Sequence, residues 1–418
     1  MNYRIFPPDE LIETRISLPL SKSISNRALI INALIPGSRP LEEVAKCDDT
    51  DVMVKALSEP EAEGVDIGAA GTAMRFLTAY YAATEHDEKT IDGSERMRER
   101  PIGVLVDALR QLGADIEYAG KEGFPPLRIK GRRLAGGELT IASDVSSQYI
   151  SALLMVAPVM ERGLKLILTG ETISRPYINM TVSMMERAGA QVETDGNTIT
   201  VEPGGYHTNT QEPIEADWSA ASYWFEIEAL SSGFITLDNL SEQSLQGDSK
   251  LARYFAQLGV TTEFDAENNC AELMANPDQA PRVVLDMTDT PDVAQTVAVT
   301  CAMLGIPFEL SGLASLHIKE TDRIAALAKE LLKVGVMLDT QRNDAISWDG
   351  RRRPVAEMPE FDTYADHRMA MAFAPVALYI PGICIRDAEV VSKSYPDFWK
   401  DLAHAGFIIA DADAENAE

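Results

Sequence analysis

Five segments of the chain share one pattern of apolar and polar residues, in which a helical period ends at a glycine and an alternating period follows. The segments are LRQLGADIE, MERAGAQVE, FAQLGVTTE, LLKVGVMLD and LAHAGFIIA, with glycines at Gly113, Gly189, Gly259, Gly335 and Gly406. Glycine is favoured just after a helix because the chain needs a positive φ there, and strict alternation is typical of a half-buried strand. Each segment is therefore predicted to join a helix to a strand.

The spacing of these glycines indicates an internal repeat. Successive glycines are 76, 70, 76 and 71 residues apart, and such regularity makes a chance likeness of helix ends a poor alternative. A sixth, shortened copy is expected to end near Gly64. Six αβ units divide into two domains of three, which we place at residues 1–20 with 217–418 and at residues 21–216, with crossovers near 18–22 and 214–220.

The first predicted helix begins with a polar and basic turn. SKSISNR, from Ser21 to Arg27, leads directly into the apolar run ALIINALI. The first turn of a helix presents unpaired N–H groups and partial positive charge, so a phosphate or a carboxylate would fit there. The alternative is that a serine only caps the helix while Lys22 and Arg27 lie on a solvated face.

Two segments rich in glycine and arginine follow. IGAAGTAMR is predicted to open a helix with Thr72 as its cap, and its small residues, Gly71 among them, would let the backbone approach a ligand closely. RMRERPIG places up to three arginines just before Pro101, a favourable first-turn residue for the next helix. A simple tight turn and a solvated face are the alternatives for these segments.

Hydroxyl and amide groups precede two further helices. They are Ser146, Ser147 and Gln148 in VSSQ, and Ser174 and Tyr177 in SRPY. Each group alone is most often a helix cap. Several such clusters with arginines nearby are what an anionic, multiply hydroxylated small molecule would require of its binding site.

The second half of the chain adds carboxylates to clusters of the same kind. Asp292 in PDVAQT follows the strand-like VVLDM and opens an apolar helix, where it is either a helix cap or a catalytic group. Lys319 and Arg323 in IKETDR are four residues apart and are predicted to share a helix face, with Glu320 between them. Two more cations stand in DHRMAM and SKSYPDF, namely Arg368 and Lys393.

Composition narrows the range of partners. The 418 residues carry a formal net charge of -28, which argues against nucleic acid or an anionic membrane surface and makes local clusters of cations conspicuous. The four cysteines form no CxxC pair, so neither a zinc site nor a disulfide framework is indicated, and burial is expected for Cys47, Cys270, Cys301 and Cys384. The N-terminal residues do not read as a secretion signal, so we expect a soluble cytoplasmic protein.

Nine motifs together resemble those of the 5-enolpyruvylshikimate-3-phosphate synthases (3-phosphoshikimate 1-carboxyvinyltransferases). In order they are SKSISNR, AAGTAMR, RMRERPIG, VSSQ, SRPY, PDVAQT, IKETDR, DHRMAM and SKSYPDF, and they extend from about Leu18 to Phe398. The resemblance implies an α/β fold, a two-domain inside-out α/β barrel in which each domain is pseudo-threefold and built from βαβαββ-type units. It also implies that the two domains are hinged at the crossovers and close on substrate.

The activity implied by the resemblance belongs to the shikimate pathway of aromatic amino-acid biosynthesis. An enolpyruvyl transferase of this family moves the enolpyruvyl group of phosphoenolpyruvate to the 5-hydroxyl of shikimate 3-phosphate and releases phosphate through a tetrahedral intermediate. Both substrates are anionic, and the addition step needs a proton acceptor and a proton donor, which fits the cations and carboxylates found here. No metal and no organic cofactor is implied, and a monomer that acts on these two small molecules is expected.

The resemblance further implies roles for individual residues. The expected ligands of shikimate 3-phosphate are Lys22, Ser23, Arg27, Ser146, Ser147, Gln148, Ser174, Tyr177, Asp292, Ser315 and Lys319. The expected ligands of phosphoenolpyruvate are Lys22, Gly71, Arg100, Gln148, Arg323, Arg368 and Lys393. The expected catalytic groups are Lys22, Asp292 and Glu320.

Three positions depart from the family pattern. Leu20, Ala69 and Ser315 stand where Gly, Asn and Asn are usual, and the first αβ unit is short.

Two other functions are alternatives. The nearest is that of the UDP-N-acetylglucosamine enolpyruvyl transferase family, whose reactive cysteine has no counterpart in the RMRER segment. A catalytically inactive anion-binding protein is the second, against which Asp292 and Glu320 argue.

Overall fold

The computed structural model shows a mixed α/β protein that folds as two compact units. It describes residues 1–143, 146–170, 172–207, 213–355 and 358–415. The discontinuous unit comprises Met1–Pro19 and Glu215–Glu418, and the inserted unit comprises Leu20–Ile214. Each unit has a hydrophobic core of its own.

The chain starts in the discontinuous unit with strands β1 (Tyr3–Phe6) and β2 (Glu13–Ile16) and then enters the inserted unit. The helices of the inserted unit are α1 (Lys22–Ala33), α2 (Asp48–Ser58), α3 (Gly71–Ala83), α4 (Glu95–Arg98), α5 (Gly103–Gln111), α6 (Ser147–Val156) and α7 (Arg175–Arg187). Its strands are β3 (Gly64–Asp66), β4 (His86–Asp92), β5 (Asp115–Tyr118), β6 (Leu127–Gly131), β7 (Gly137–Ala142), β8 (Leu164–Thr169), β9 (Val192–Asp195) and β10 (Thr198–Val201).

The remainder of the discontinuous unit follows. Its helices are α8 (Trp218–Ser231), α9 (Leu251–Ala256), α10 (Ala294–Leu304), α11 (Arg323–Lys333), α12 (His367–Phe373), α13 (Phe398–His404) and α14 (Ala412–Glu415). Its strands are β11 (Phe234–Asp238), β12 (Leu258–Asp265), β13 (Cys270–Gln279), β14 (Val283–Asp286), β15 (Phe308–Ser311), β16 (Ala345–Trp348), β17 (Glu360–Phe361), β18 (Ile383–Ile385) and β19 (Ile408–Asp411). Short 3-10 helices important for the site are Gly247–Lys250, Pro291–Val293 and Ala314–Ile318.

One sheet topology recurs five times in the part of the chain that the structure describes. Two sheets lie in the inserted unit, with strand orders β3-β4-β6-β5 and β7-β8-β10-β9, and three lie in the discontinuous unit, with orders β2-β11-β13-β12, β14-β15-β16 and β17-β18-β1-β19. In every sheet the first pair is parallel and the later pairs are antiparallel. The predicted αβ repeat is therefore present in four complete copies and in one three-stranded copy, β14-β15-β16.

The five repeat glycines all have positive φ values, between 81° and 105°. This confirms the prediction that the chain turns out of each helix in a left-handed conformation, which glycine adopts without steric cost. At Gly335 the surroundings add a second requirement, because a Cβ there would lie 2.2 Å from the carbonyl oxygen of Arg353. Four of the five glycines lead from a helix into a strand. After Gly335 the strand prediction is wrong, because Val336 and Asp339 form only isolated β-bridges there.

The helices that precede the second strand of each sheet are the most buried elements of the fold. They are α3, α6, α8, α10 and α12, and nearly all of their residues are inaccessible to solvent. A helix that is apolar on most sides belongs in a core. These helices have most of their polar residues near their first turns, and the buried Glu226 and Glu228 in the middle of α8 are exceptions. The four cysteines are free and buried, as predicted. In the described ranges no helix combines the length and the apolar character needed to cross a membrane.

Candidate active site

The polar first turn of α1 is held by residues from its own unit. Ser21 precedes the helix, and its Oγ accepts a hydrogen bond from the Ile24 N–H at 3.4 Å. Lys22 Nζ forms an ion pair with Asp49 Oδ2 at 2.9 Å, and Asp49 is 3% exposed. Helix α2 turns this buried carboxylate toward Lys22, although its acidic neighbours in the sequence are typical of a solvated face or loop.

Arg27 is buried rather than solvated, with 2% of its surface exposed. Its Nε donates to Thr181 Oγ1 at 2.7 Å, and its Nη atoms donate to Ser151 Oγ at 3.1 Å and to the Ser23 carbonyl oxygen at 2.9 Å. Burial lowers the pKa of Arg27 to about 10, which still leaves the guanidinium cationic at neutral pH. The alternative that Arg27 lies on a wet face is therefore wrong.

Gly71 and Arg100 lie side by side at the start of α3. A Cβ on Gly71 would be 2.6 Å from Arg100 Nη1, so the glycine lets the guanidinium approach the backbone. Arg75 donates to the Gly71 carbonyl oxygen at 3.2 Å and to the Pro101 carbonyl oxygen at 2.9 Å. A single buried side chain thus ties the glycine loop to the arginine loop.

Two predictions about these loops are wrong. Thr72 does not cap α3, because the helix begins at Gly71, and the Thr72 hydroxyl instead accepts a hydrogen bond from Gln148 Nε2 at 3.1 Å. Pro101 is not the first residue of the next helix, because α5 begins at Gly103. The two other arginines of the RMRER segment are exposed and pair with Glu99 and Asp92.

The two hydroxyl clusters stand at the starts of α6 and α7. Ser146 caps α6, since its Oγ accepts from the Gln148 N–H at 3.3 Å, so the capping alternative holds for this residue. Ser174 is buried, has a φ of 54°, and makes no capping hydrogen bond. A left-handed serine is strained, and such strain is concentrated at functional sites. Tyr177 packs its ring 5.7 Å from the Arg27 guanidinium carbon.

In the discontinuous unit, Arg323 is the centre of a charged cluster. Its Nε lies 2.7 Å from Asp366 Oδ2, its Nη1 lies 2.9 Å from Asp292 Oδ1, and its Nη2 lies 2.9 Å from Glu320 Oε2. Arg323 and Asp366 are both buried, and Asp366 also caps α12 by accepting from the Arg368 N–H at 2.9 Å. The guanidinium therefore fixes three carboxylates relative to one another.

Asp292 is surrounded by cations. Lys319 Nζ lies 3.1 Å from Oδ1, and Arg368 Nη2 lies 3.5 Å from Oδ2. Burial by itself would raise the pKa of Asp292, but Lys319, Arg368 and Arg323 outweigh burial and hold the pKa far below its usual range. Asp292 does not cap α10, because Val293 occupies the position before that helix. The carboxylate is consequently ionised at any pH at which the protein would work.

Glu320 is held through both of its oxygens. Oε2 pairs with Arg323, and Oε1 lies 3.0 Å from Lys393 Nζ. The prediction that Lys319 and Arg323 share a helix face is wrong, because Asp322 caps α11 so that the helix begins at Arg323 and leaves Lys319 in an extended conformation. Both side chains nevertheless reach Asp292. Ser315 lies in the preceding 3-10 helix, Ala314–Ile318.

The sequence of this chain matches the model of a known protein family. The model described as EPSP synthase (3-phosphoshikimate 1-carboxyvinyltransferase) matches residues 55–402. The chain belongs to the EPSP synthase family. The matched stretch contains the Gly71 loop, the starts of α6 and α7, and the whole Arg323 cluster, and it begins after the SKSISNR turn.

Full-length similarity to members of the EPSP synthase family extends the match. The chain is 53% identical over 409 residues to the 3-phosphoshikimate 1-carboxyvinyltransferase of Bacteroides fragilis (strain YCH46), covering 97% of this chain and 98% of that protein. It is 36% identical over 436 residues to the protein of that name from Shewanella pealeana, covering 97% and 100%. A solved EPSP synthase from Acinetobacter baumannii is similar in fold, with a TM-score of 0.78 and 22% identity over 98% of this chain and all of that one.

Several residues of the site could not be identified from motifs alone. Asp49, Asp366 and Thr181 contact Lys22, Arg323 and Arg27 from distant parts of the chain. Asp366 belongs to the DHRMAM motif, and only its position just before a helix could have indicated a role. Thr181 lies in the middle of α7, and no sequence pattern distinguishes it from an ordinary helical threonine.

Proposed function

We propose that this protein transfers the enolpyruvyl group of phosphoenolpyruvate to the 5-hydroxyl of shikimate 3-phosphate and releases phosphate. The relatives named above are 3-phosphoshikimate 1-carboxyvinyltransferases, and the chain spans nearly all of their length. The observation that carries the proposal is the Arg323 cluster, where four cations and three carboxylates are gathered in a chain of net charge -28. Anionic substrates, and proton transfers at the 5-hydroxyl and at C3, require such a site.

The reaction determines what the residues must do. In the addition step the 5-hydroxyl oxygen forms a bond to C2 of phosphoenolpyruvate, the hydroxyl loses its proton, and a proton is added to C3 to make a methyl group. In the elimination step that methyl group loses a proton and the bond from C2 to the phosphate oxygen breaks. The methylene is thereby restored, and inorganic phosphate leaves. The reaction therefore needs a group that gives a proton to C3 and a group, the same or another, that takes one back.

The geometry supports different roles for Asp292 and Glu320, the two partly accessible carboxylates of the cluster. Asp292, whose pKa is far below its usual range, is a poor proton donor and is suited to accept the proton or hydrogen bond of the 5-hydroxyl. Glu320, held between Arg323 and Lys393, is assigned to C3. Lys22, oriented by Asp49, is the cation that both steps share. The remaining cations would stabilise the carboxylate and phosphate of phosphoenolpyruvate.

The binding roles proposed for the two units follow their charges. In the inserted unit, Arg27 is a buried cation and the starts of α6 and α7 offer hydroxyl groups, which together suit shikimate 3-phosphate. Gly71 and Arg100 in the same unit, with Arg323, Arg368 and Lys393 in the discontinuous unit, are assigned to phosphoenolpyruvate. Lys319 and Ser315 are assigned to shikimate 3-phosphate, as the resemblance implies.

The finer description of the fold is likewise a proposal. We propose that each unit is an inside-out α/β barrel made of three αβ units, with the short helical pair α1 and α2 in place of a complete sixth copy. The five recurring sheets and the five buried helices support this description. The cytoplasmic location and the monomeric state stay predictions.

The test is phosphate release from phosphoenolpyruvate with two acceptors in parallel. Purified protein is incubated with phosphoenolpyruvate and either shikimate 3-phosphate or UDP-N-acetylglucosamine, and phosphate is measured over time. Release with shikimate 3-phosphate alone is expected. A Glu320→Gln sample purified in the same way controls for contaminating phosphatases. Release with neither acceptor, or only with the nucleotide sugar, would overturn the proposal.

A further inference from the structure

A buried carboxylate lies behind the Arg323 cluster and has no part in the mechanism above. Asp248, in the 3-10 helix Gly247–Lys250, is 3% exposed. Its Oδ2 accepts a hydrogen bond from Ser219 Oγ at 2.5 Å, and Ser219 Oγ in turn accepts one from Arg368 Nη2 at 3.3 Å. Asp248 Oδ1 has no hydrogen-bond partner among the described residues. A chain of two hydrogen bonds therefore links Asp248 to Arg368.

We propose that Asp248 is a positioning residue for Arg368 and acts through Ser219. A serine hydroxyl has one proton to donate, and ionised Asp248 accepts it, which leaves the oxygen lone pairs of Ser219 available to the Arg368 N–H. Protonated Asp248 can instead donate to Ser219 Oγ, so that it no longer accepts the hydroxyl proton and occupies one of the two lone pairs that Ser219 offers to Arg368. The proposal rests on the proposed function, since Arg368 is assigned there to phosphoenolpyruvate.

The surroundings of Asp248 make such a change of protonation accessible. Burial raises the pKa of Asp248 to about 6, with Arg368 opposing the rise and Asp292 adding to it. The other titratable groups that face Asp248 are Asp217, just before α8, and Tyr254 of α9. Arg368 should thus be held best above about pH 6 and less well below it.

The experiment measures the KM for phosphoenolpyruvate between about pH 5.5 and pH 8 in the wild type, Asp248→Asn and Ser219→Ala. At pH 8 each variant should raise this KM about 3- to 10-fold, the range expected for one hydrogen bond, with a smaller effect on the KM for shikimate 3-phosphate. The double variant should raise the KM for phosphoenolpyruvate no more than a single variant does, because both substitutions weaken the same link between Asp248 and Arg368. Asp289→Asn, which removes a surface partner of Lys250, is the matched control and should have no effect.

The pH dependence separates positioning from mere support of the fold. Substrate titration cancels in the ratio of the Asp248→Asn KM to the wild-type KM, and this ratio should fall toward one as the pH drops below 6. A ratio that is constant with pH, or a variant that behaves like the wild type, would overturn the proposal. If Asp248→Asn fails to fold, Ser219→Ala tests the same link without changing a buried charge. If the wild type shows no turnover, titration calorimetry can still measure how each variant changes the affinity for phosphoenolpyruvate. Absence of turnover would refute the proposed function and not the role of Asp248.

Discussion

Glu228 provides the most quantitative prediction about stability. The residue lies in α8, in the core of the discontinuous unit, and its side chain is fully buried. Burial raises its pKa from the ordinary 4.5 to about 7, although the Ala275 N–H offsets part of the rise. The folded protein therefore has to keep a proton on Glu228, or accept a buried charge, at neutral pH.

The direction of the effect follows from proton linkage. Between pH 4.5 and pH 7 the unfolded chain has released the Glu228 proton while the folded chain still binds it, so stability falls as the pH rises through this window. Above pH 7 both states are ionised and the loss is complete. A rise of the pKa from 4.5 to about 7 corresponds to about 3 kcal/mol of lost stability. Glu228→Gln has nearly the same shape and cannot ionise, so it should recover this free energy.

The assay is urea denaturation followed by tryptophan fluorescence. All four tryptophans, Trp218, Trp224, Trp348 and Trp399, belong to the discontinuous unit, so the signal reports on the unit that contains Glu228. At pH 8 the variant should be more stable than the wild type by about 3 kcal/mol, and at pH 5.5 by about 1 kcal/mol. The exposed Glu267 supplies the control, since Glu267→Gln should change stability by less than about 0.5 kcal/mol at both pH values. An equal increase in the free energy of unfolding at both pH values for Glu228→Gln would show that ionisation of Glu228 does not destabilise the protein.

Three further predictions concern the site and the repeat. Glu320→Gln should lower the rate of phosphate release about 100- to 10,000-fold while calorimetric affinities for both substrates stay within a few-fold, because the amide keeps the shape of Glu320 and one of its two cation contacts but cannot transfer a proton. Thr181→Val should raise the KM for shikimate 3-phosphate several-fold in steady-state assays, because Arg27 loses its shortest hydrogen bond. Gly335→Ala should destabilise the discontinuous unit by about 2 kcal/mol or more in urea titrations, because it combines a positive φ with a clash at the Arg353 carbonyl oxygen.

Each of these predictions has a contrary outcome. Turnover unchanged in Glu320→Gln would remove Glu320 from the mechanism. Thr78→Val, which deletes a buried hydroxyl bonded within α3, is the control for Thr181→Val, and an equal KM in both variants would show that Arg27 is not held through Thr181. A Gly335→Ala protein as stable as the wild type would mean that the loop carrying Arg353 moves freely.

The repeat and the helix starts could be predicted from sequence because both depend on local rules. The left-handed glycine after a helix is required by backbone sterics at that residue, so Gly113 and its four counterparts were identifiable one by one. Serine caps at α1 and α6 follow from hydrogen bonds that span two or three residues. These local rules identified clusters of candidate residues. The resemblance to a family then suggested a role for each residue.

The partners of the functional groups could not be predicted, because they come from remote positions. Arg27 is bonded to Ser151 and Thr181, more than a hundred residues away, and nothing in SKSISNR shows that the guanidinium is buried. Lys319 and Arg323 were placed on one helix face by their spacing, but the Asp322 cap starts the helix between them. The spacing indicated that the two cations lie close together. Their actual arrangement depends on the tertiary contacts that both make with Asp292.

Transfer of deuterium from solvent into the vinyl methylene reports directly on proton transfer at C3. Wild-type protein is incubated in D2O with phosphoenolpyruvate and shikimate 3-phosphate, and the methylene of the product and of the recovered phosphoenolpyruvate is examined by proton NMR. Deuterium is expected in the methylene only when both substrates are present, and almost none is expected with Glu320→Gln over the same time. Product formed at the wild-type rate with no deuterium in the methylene would contradict protonation at C3 and the role given to Glu320.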